Sequence, residues 1–188
     1  MPLDKTVFWT NLEQPGAEYL TIRNIESDLV AESLVLFMRG GNAYKFSYQV
    51  VLDQEWFTKR VDITDLVTKR SLYLRRDWTG EWYLNGSVLE GMDDAIDVDI
   101  SMTPFSNTLP INRCTWERGQ VRVFTMLYVD VPSMELEKVE QTYTFLGDTE
   151  DGYRRFRYTC KDYETVVTVD REGIIVDYPD AFRREFEQ

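Results

Sequence analysis

The chain has 188 residues, enough for one domain with a sizeable core, and its 33 acidic against 21 basic residues give a formal net charge of −12. That charge repels a phosphate backbone and an anionic leaflet alike, so nucleic acid is not an expected partner. Histidine is absent, which excludes Ser-His-Asp and Cys-His machinery and removes the commonest zinc ligand.

Taken in order, residues 7–12 and 18–25 read as short strands around the turn pair Pro15-Gly16. Residues 33–38 form an apolar run that ends in the hairpin turn at 39–42. Tyr44, Phe46, Tyr48 and Val50 then alternate with Lys45, Ser47 and Gln49, which puts an aromatic stripe on one strand face. Residues 53–61 carry Trp56 and Phe57, and 62–68 read as a helical turn or a loop. Strands at 71–76 and 81–84 meet at Thr79-Gly80, and Asn85-Gly86 is a favoured two-residue hairpin turn.

The stretch 96–113, IDVDISMTPFSNTLPINR, organises the rest. Ile96, Val98 and Ile100 alternate with Asp97, Asp99 and Ser101, so a strand sends two carboxylates to one face. Pro104 and Pro110 then remove backbone donors, while Thr103, Ser106, Asn107 and Thr108 supply side-chain bonds, which predicts a structured loop. Beyond it, 113–117 and 120–130 predict a hairpin about Arg118-Gly119. Strands at 137–146, 153–160, 164–170 and 174–178 continue the meander, and 180–187 predict a short helix capped by Asp180.

So many short antiparallel strands must curl or close, because a flat sheet of that width is unstable. The expected fold is mainly β: one strongly curved antiparallel sheet or an incomplete barrel, with a short C-terminal helix. No Pro/Gly/Ser-rich linker divides the chain, so residues 1–188 are expected to form one unit. No apolar run reaches the roughly 18 residues of a membrane span, so stable membrane insertion is not expected. The N-terminal stretch has no apolar core, and Cys114 and Cys160 lack metal or redox spacing. A cytoplasmic location is expected.

Two constellations carry chemistry. Asp97 and Asp99 stand two apart on a strand, with Cα atoms roughly 6.6 Å apart, near the separation at which one carboxylate activates water and another protonates a glycosidic oxygen. The same pair reads more readily as a structural anchor that accepts bonds from Arg113 and the loop. Trp9, Tyr44, Tyr48, Trp56 and Trp82 offer apolar planes with polar tips, suited to a lipid chain or a sugar face, or to plain core packing.

The run DVDISMTPFSNTLPINR resembles the signature of the glycolipid-binding family, formerly a domain of unknown function. Trp9, the Tyr44 to Trp56 region, Gln141-Thr-Tyr143 and Val169-Asp170 to Tyr178-Pro179 extend the resemblance over nearly the whole chain. Asn112 and Cys114 depart from it, leaving Arg113 as the one charge of an expected basic pair. The resemblance implies a half-barrel similar to those of bacterial lipoprotein and lipid carriers. With the strand pattern, it points to a binding protein rather than an enzyme. The expected partner is a lipid or glycolipid held in an apolar, aromatic-lined cleft by Asp97, Asp99, Thr103, Asn107, Arg113, Trp9, Tyr48, Trp56 and Trp82. A hydrolase using Asp97 and Asp99 is the alternative; no cofactor and no metal are expected.

Overall fold

Alternation of buried and more exposed side chains along the strands sets the architecture, which a computed structural model describes for residues 3–188. In β1 (Asp4–Asn11) Lys5, Val7, Trp9 and Asn11 point inward while Thr6, Phe8 and Thr10 face outward. The same period of two runs through β2 (Gly16–Ile25), β3 (Asp28–Arg39), β4 (Asn42–Leu52) and β5 (Thr58–Asp65). Shorter hairpin strands follow: β6 (Ser71–Arg76), β7 (Trp82–Leu84) and β8 (Ser87–Val88). After β9 (Asp97–Ile100) come a 3-10 turn (Phe105–Asn107) and the helix α1 (Thr108–Arg113). The chain ends in β10 (Val121–Val129), β11 (Leu136–Asp148), β12 (Arg154–Cys160), β13 (Tyr163–Val169), β14 (Ile175–Tyr178) and β15 (Phe182–Glu187).

All fifteen strands join one sheet in the order β8-β7-β6-β5-β4-β3-β2-β1-β15-β14-β13-β12-β11-β10-β9. It is curved and not closed into a barrel. Every pairing is antiparallel except β9 with β10. That one parallel pair needs a crossover, and residues 101–120, with α1 inside them, supply it. The sheet curls far enough that its edge strand β9 comes against β5.

Several elements differ from the sequence reading: residues 62–65, read as a helical turn or a loop, continue β5. The expected C-terminal helix is the strand β15, because β1 presents an open edge that Phe182 to Glu187 fill in antiparallel register. A free strand edge outweighs local helix propensity there. Residues 113–117 likewise form no strand, since the chain is still completing its crossover.

The hollow is also filled from within. The expected loop at 103–110 is instead the 3-10 turn and α1, which lie against the concave face with Phe105, Leu109 and Ile111 fully buried. Each such side chain contributes about 1.5–3 kcal/mol by leaving water. The segment is seated at its far end too: Asn112 Nδ2 donates to the Glu172 carbonyl at 2.6 Å. A Cβ on Gly173 would stand 2.0 Å from Asn112 Oδ1, so only glycine permits that approach. Trp9 and Trp82, expected at a cleft, are wholly buried, and their indole N–H groups donate to the carbonyls of Ile175 and Ala95 at 2.9 and 2.8 Å. They are core residues. Among the described residues no helix is long and apolar enough to cross a membrane.

Candidate functional site

Antiparallel order places alternate turns at the same end of the sheet. The β1–β2, β3–β4 and β14–β15 turns share one end, and the crossover segment leaves β9 at that end through Ser101 and Met102. A cleft of about 380 Å³ opens there, within the range of small-ligand pockets. Asp99, Ser101, Thr103 and Asn107 form its floor, and Tyr158, Tyr178 and Phe182 form one wall. The wall is built edge to face: the Tyr158 and Tyr178 rings lie 6.1 Å apart, as do Tyr178 and Phe182. Met102 sits on the rim with φ of 71°, a left-handed conformation that costs a non-glycine residue energy, and its sulfur accepts from Gln14 Nε2 at 3.3 Å.

Beneath the floor a directional chain of hydrogen bonds converges on Asp99. Asn107 Nδ2 donates to the Tyr143 hydroxyl at 2.8 Å, Tyr143 donates to Gln141 Oε1 at 3.2 Å, and Gln141 Nε2 donates to Asp99 Oδ2 at 2.6 Å. No cation takes part. Burial therefore pushes the Asp99 carboxyl up to about 6, against the opposing bonds from Gln141 and Ser106. Burial also raises the Tyr158 and Tyr178 phenols, which remain protonated donors.

A second buried acid lies behind Thr103. Glu18 Oε1 accepts from Tyr48 OH at 2.5 Å and Ser33 Oγ at 2.7 Å, and Tyr48 OH meets Thr103 Oγ1 at 3.2 Å. Among the described residues Glu18 Oε2 is buried without a hydrogen-bond partner, and burial pushes this carboxyl up to about 7. The Tyr48 ring stacks on Phe105 at 6.2 Å, so the network underlies the start of the crossover segment.

The two aspartates that the sequence places on one face have different fates. Asp97 is fully buried and ion-paired with Arg113, whose guanidinium lies 5.2 and 5.5 Å from the Phe57 and Phe124 ring centroids. Burial pushes the Asp97 carboxyl up and Arg113 opposes the shift. Asp97 and Arg113 therefore pin the crossover segment and are sealed from the cleft. A general acid and a general base must both reach the substrate, and of the pair only Asp99 lines the cleft. The paired-carboxylate hydrolase thus lacks its second group.

Of the nine residues singled out from the sequence, Asp99, Thr103 and Asn107 meet at the cleft. Tyr48 supports it from below. Asp97 and Arg113 anchor the segment, and Trp9 and Trp82 lie in the core. Trp56 lines a separate hollow with Leu3, Asn24 and Leu29 at the opposite end. Sequence reasoning passed over Glu18 and Tyr158, and Tyr178 was legible only as part of the resemblance. Gln141 and Tyr143 were legible only as part of the resemblance; their i, i+2 spacing puts them on one strand face. Among the described residues no three acidic or thiol side chains converge as a metal site would require.

Comparison with known proteins bears on this geometry. The sequence model of the family described as "Putative glycolipid-binding" matches residues 6–184. A DUF1089-family protein of Pseudomonas aeruginosa, solved by crystallography, superposes with a TM-score of 0.77 at 30% identity, over 90% of this chain and 91% of that one. No curated protein matches the chain.

Proposed function

The chain belongs to the glycolipid-binding family, and from that premise we propose that it binds a glycolipid by its polar headgroup in the cleft around Asp99. The observation that carries this reading is the meeting of Asp99, Thr103 and Asn107 with the Tyr158, Tyr178 and Phe182 wall in about 380 Å³. An aromatic face covers the apolar side of a sugar ring, while hydroxyls around the ring donate to a carboxylate and accept from amide and phenol groups. Asp99 orients the headgroup, and the Gln141–Tyr143–Asn107 chain holds Asp99 in place.

The filled interior supports one refinement of the expectation from sequence. Phe105, Leu109, Ile111, Trp9 and Tyr143 fill the concave face, each fully buried, so in this reading the acyl chain stays outside the cleft and the protein reads the head. Affinity then rests on a few polar contacts and one aromatic wall rather than on long-chain burial.

The reading is tested by titrating a short-chain glycolipid, n-octyl β-D-glucopyranoside below its micelle concentration, against melting temperature and by calorimetry. A saturable rise in melting temperature is expected, with affinity about five- to tenfold lower in Tyr178→Ala, the cost of one aromatic face. Absence of any shift, or equal binding by the variant, defeats it.

A further inference from the structure

A second hollow of about 370 Å³ shares Tyr128 and Asp130 with the cleft and is otherwise lined by Glu137, Val139, Cys160 and Lys161. The two spaces together face six charged side chains: Glu13, Arg39, Asp99, Asp130, Glu137 and Lys161. Both cations are already committed. Arg39 Nη1 lies 3.5 Å from Asp130 Oδ1 and donates to the Val131 carbonyl at 3.3 Å. Lys161 Nζ reaches both Glu137 oxygens, at 2.8 and 2.9 Å. Among the described residues neither Glu13 nor Asp99 faces a cation within ion-pair distance. The groove therefore holds two carboxylates in excess and no free guanidinium or ammonium group, in a chain whose net charge is already −12.

From this balance we propose that the groove selects its ligand by headgroup charge, accepting an uncharged or amino-bearing sugar and rejecting one that carries a phosphate, sulfate or uronate. The proposal rests on the headgroup reading above and adds the ligand class to it. An anionic head would have to desolvate beside Asp99 with neutral donors from Asn107, Tyr158 and Tyr178, and an Arg39 already drawn to Asp130, to compensate it. An ammonium group instead meets a carboxylate whose side-chain bonds, from Gln141 and Ser106, are neutral, where an opposite charge is screened less than in water. Hydroxyl donors gain from the same acceptor to a smaller degree. Selection against the wrong partner by an uncompensated like charge is a general route to specificity.

The test compares three probes with the same tail by calorimetry on the whole chain: the octyl glycosides of glucose, 2-amino-2-deoxyglucose and glucuronic acid. The aminosugar glycoside is expected to bind at least as tightly as the glucoside, and the glucuronide about tenfold more weakly than either, the size of one modest charge contact. Asp99→Asn is expected to bring the amino-to-uronate ratio towards one. Glu13→Gln, on an exposed turn where the fold is not at stake, shifts the ratio in the same direction by less. A glucuronide that binds as well as or better than the glucoside overturns the charge rule while leaving the headgroup site standing. Failure of all three probes to bind overturns the site itself and the charge rule with it.

Discussion

Two groups of buried acids lie at opposite ends of the sheet, and they are solvated in opposite ways. Asp170 lies at the β13–β14 turn. Its Oδ2 meets Lys5 Nζ at 2.7 Å and Arg184 Nη1 at 2.5 Å, and its Oδ1 accepts from the Ile174 amide at 2.9 Å. Burial alone would raise this carboxyl; the two cations and the amide outweigh it and hold the group below the usual range. Asp99 and Glu18, near the cleft, have only neutral partners, and burial pushes them up to about 6 and about 7. A buried carboxylate supplied with cations is part of the frame. One left with neutral donors beside an opening retains unspent capacity to accept, as a binding site requires.

The largest effect that sharpens this contrast is expected from Asp170→Asn, which takes from Lys5 and Arg184, each only 6–7% exposed in its side chain, their shared buried counter-charge and leaves them the half-exposed Glu172 and Glu187. Removing one member of a buried ionic group costs about 3–5 kcal/mol, and denaturant unfolding at pH 7 checks it. Because Asp170 is held low, its contribution is complete above the ordinary aspartate value of 3.8 and is lost as pH falls through its lower folded value. A cost below about 1 kcal/mol would break the comparison on the structural side.

A smaller effect of opposite sign is expected at Glu18. A carboxyl raised from 4.5 to about 7 stabilises the fold fully below its unfolded value, and that contribution disappears as pH rises through about 7. Glu18→Gln keeps the acceptor for Ser33 and Tyr48 and cannot ionise. It should match the parent near pH 5 and exceed it by about 1–3 kcal/mol at pH 8, with the melting temperature read at both pH values. Parallel pH profiles for parent and variant would show that Glu18 does not titrate in this range.

The contrast also explains what could be read in advance. Strand alternation at residues 44–50 and turn pairs such as Pro15-Gly16 and Asn85-Gly86 are local signals, and they marked the antiparallel meander. β15 was hidden because its reason for being a strand is the open edge of β1, more than 170 residues earlier in the chain. Asp97 and Asp99 could be put on one face from spacing alone. Their separation into an anchor and a cleft residue depends on Arg113, which α1 swings beneath Asp97, and on Gln141, which β11 brings to Asp99. Glu18 gave no signal, since one glutamate in a strand of mixed polarity looks solvated until Tyr48 and Ser33 close over it. The tryptophans misled for the converse reason: an amphipathic ring suits a cleft or a core, and burial of the indole N–H against a carbonyl is decided by the fold.

The central claim is that the ligand sits at the Asp99 cleft. Backbone amide exchange, followed with and without saturating n-octyl β-D-glucopyranoside, tests it most directly. Slowed exchange confined to residues 99–107 and 178–182 is the predicted result. Protection that falls instead around Trp56 and residues 77–80 at the far end, with the cleft amides unchanged under saturating ligand, would contradict it.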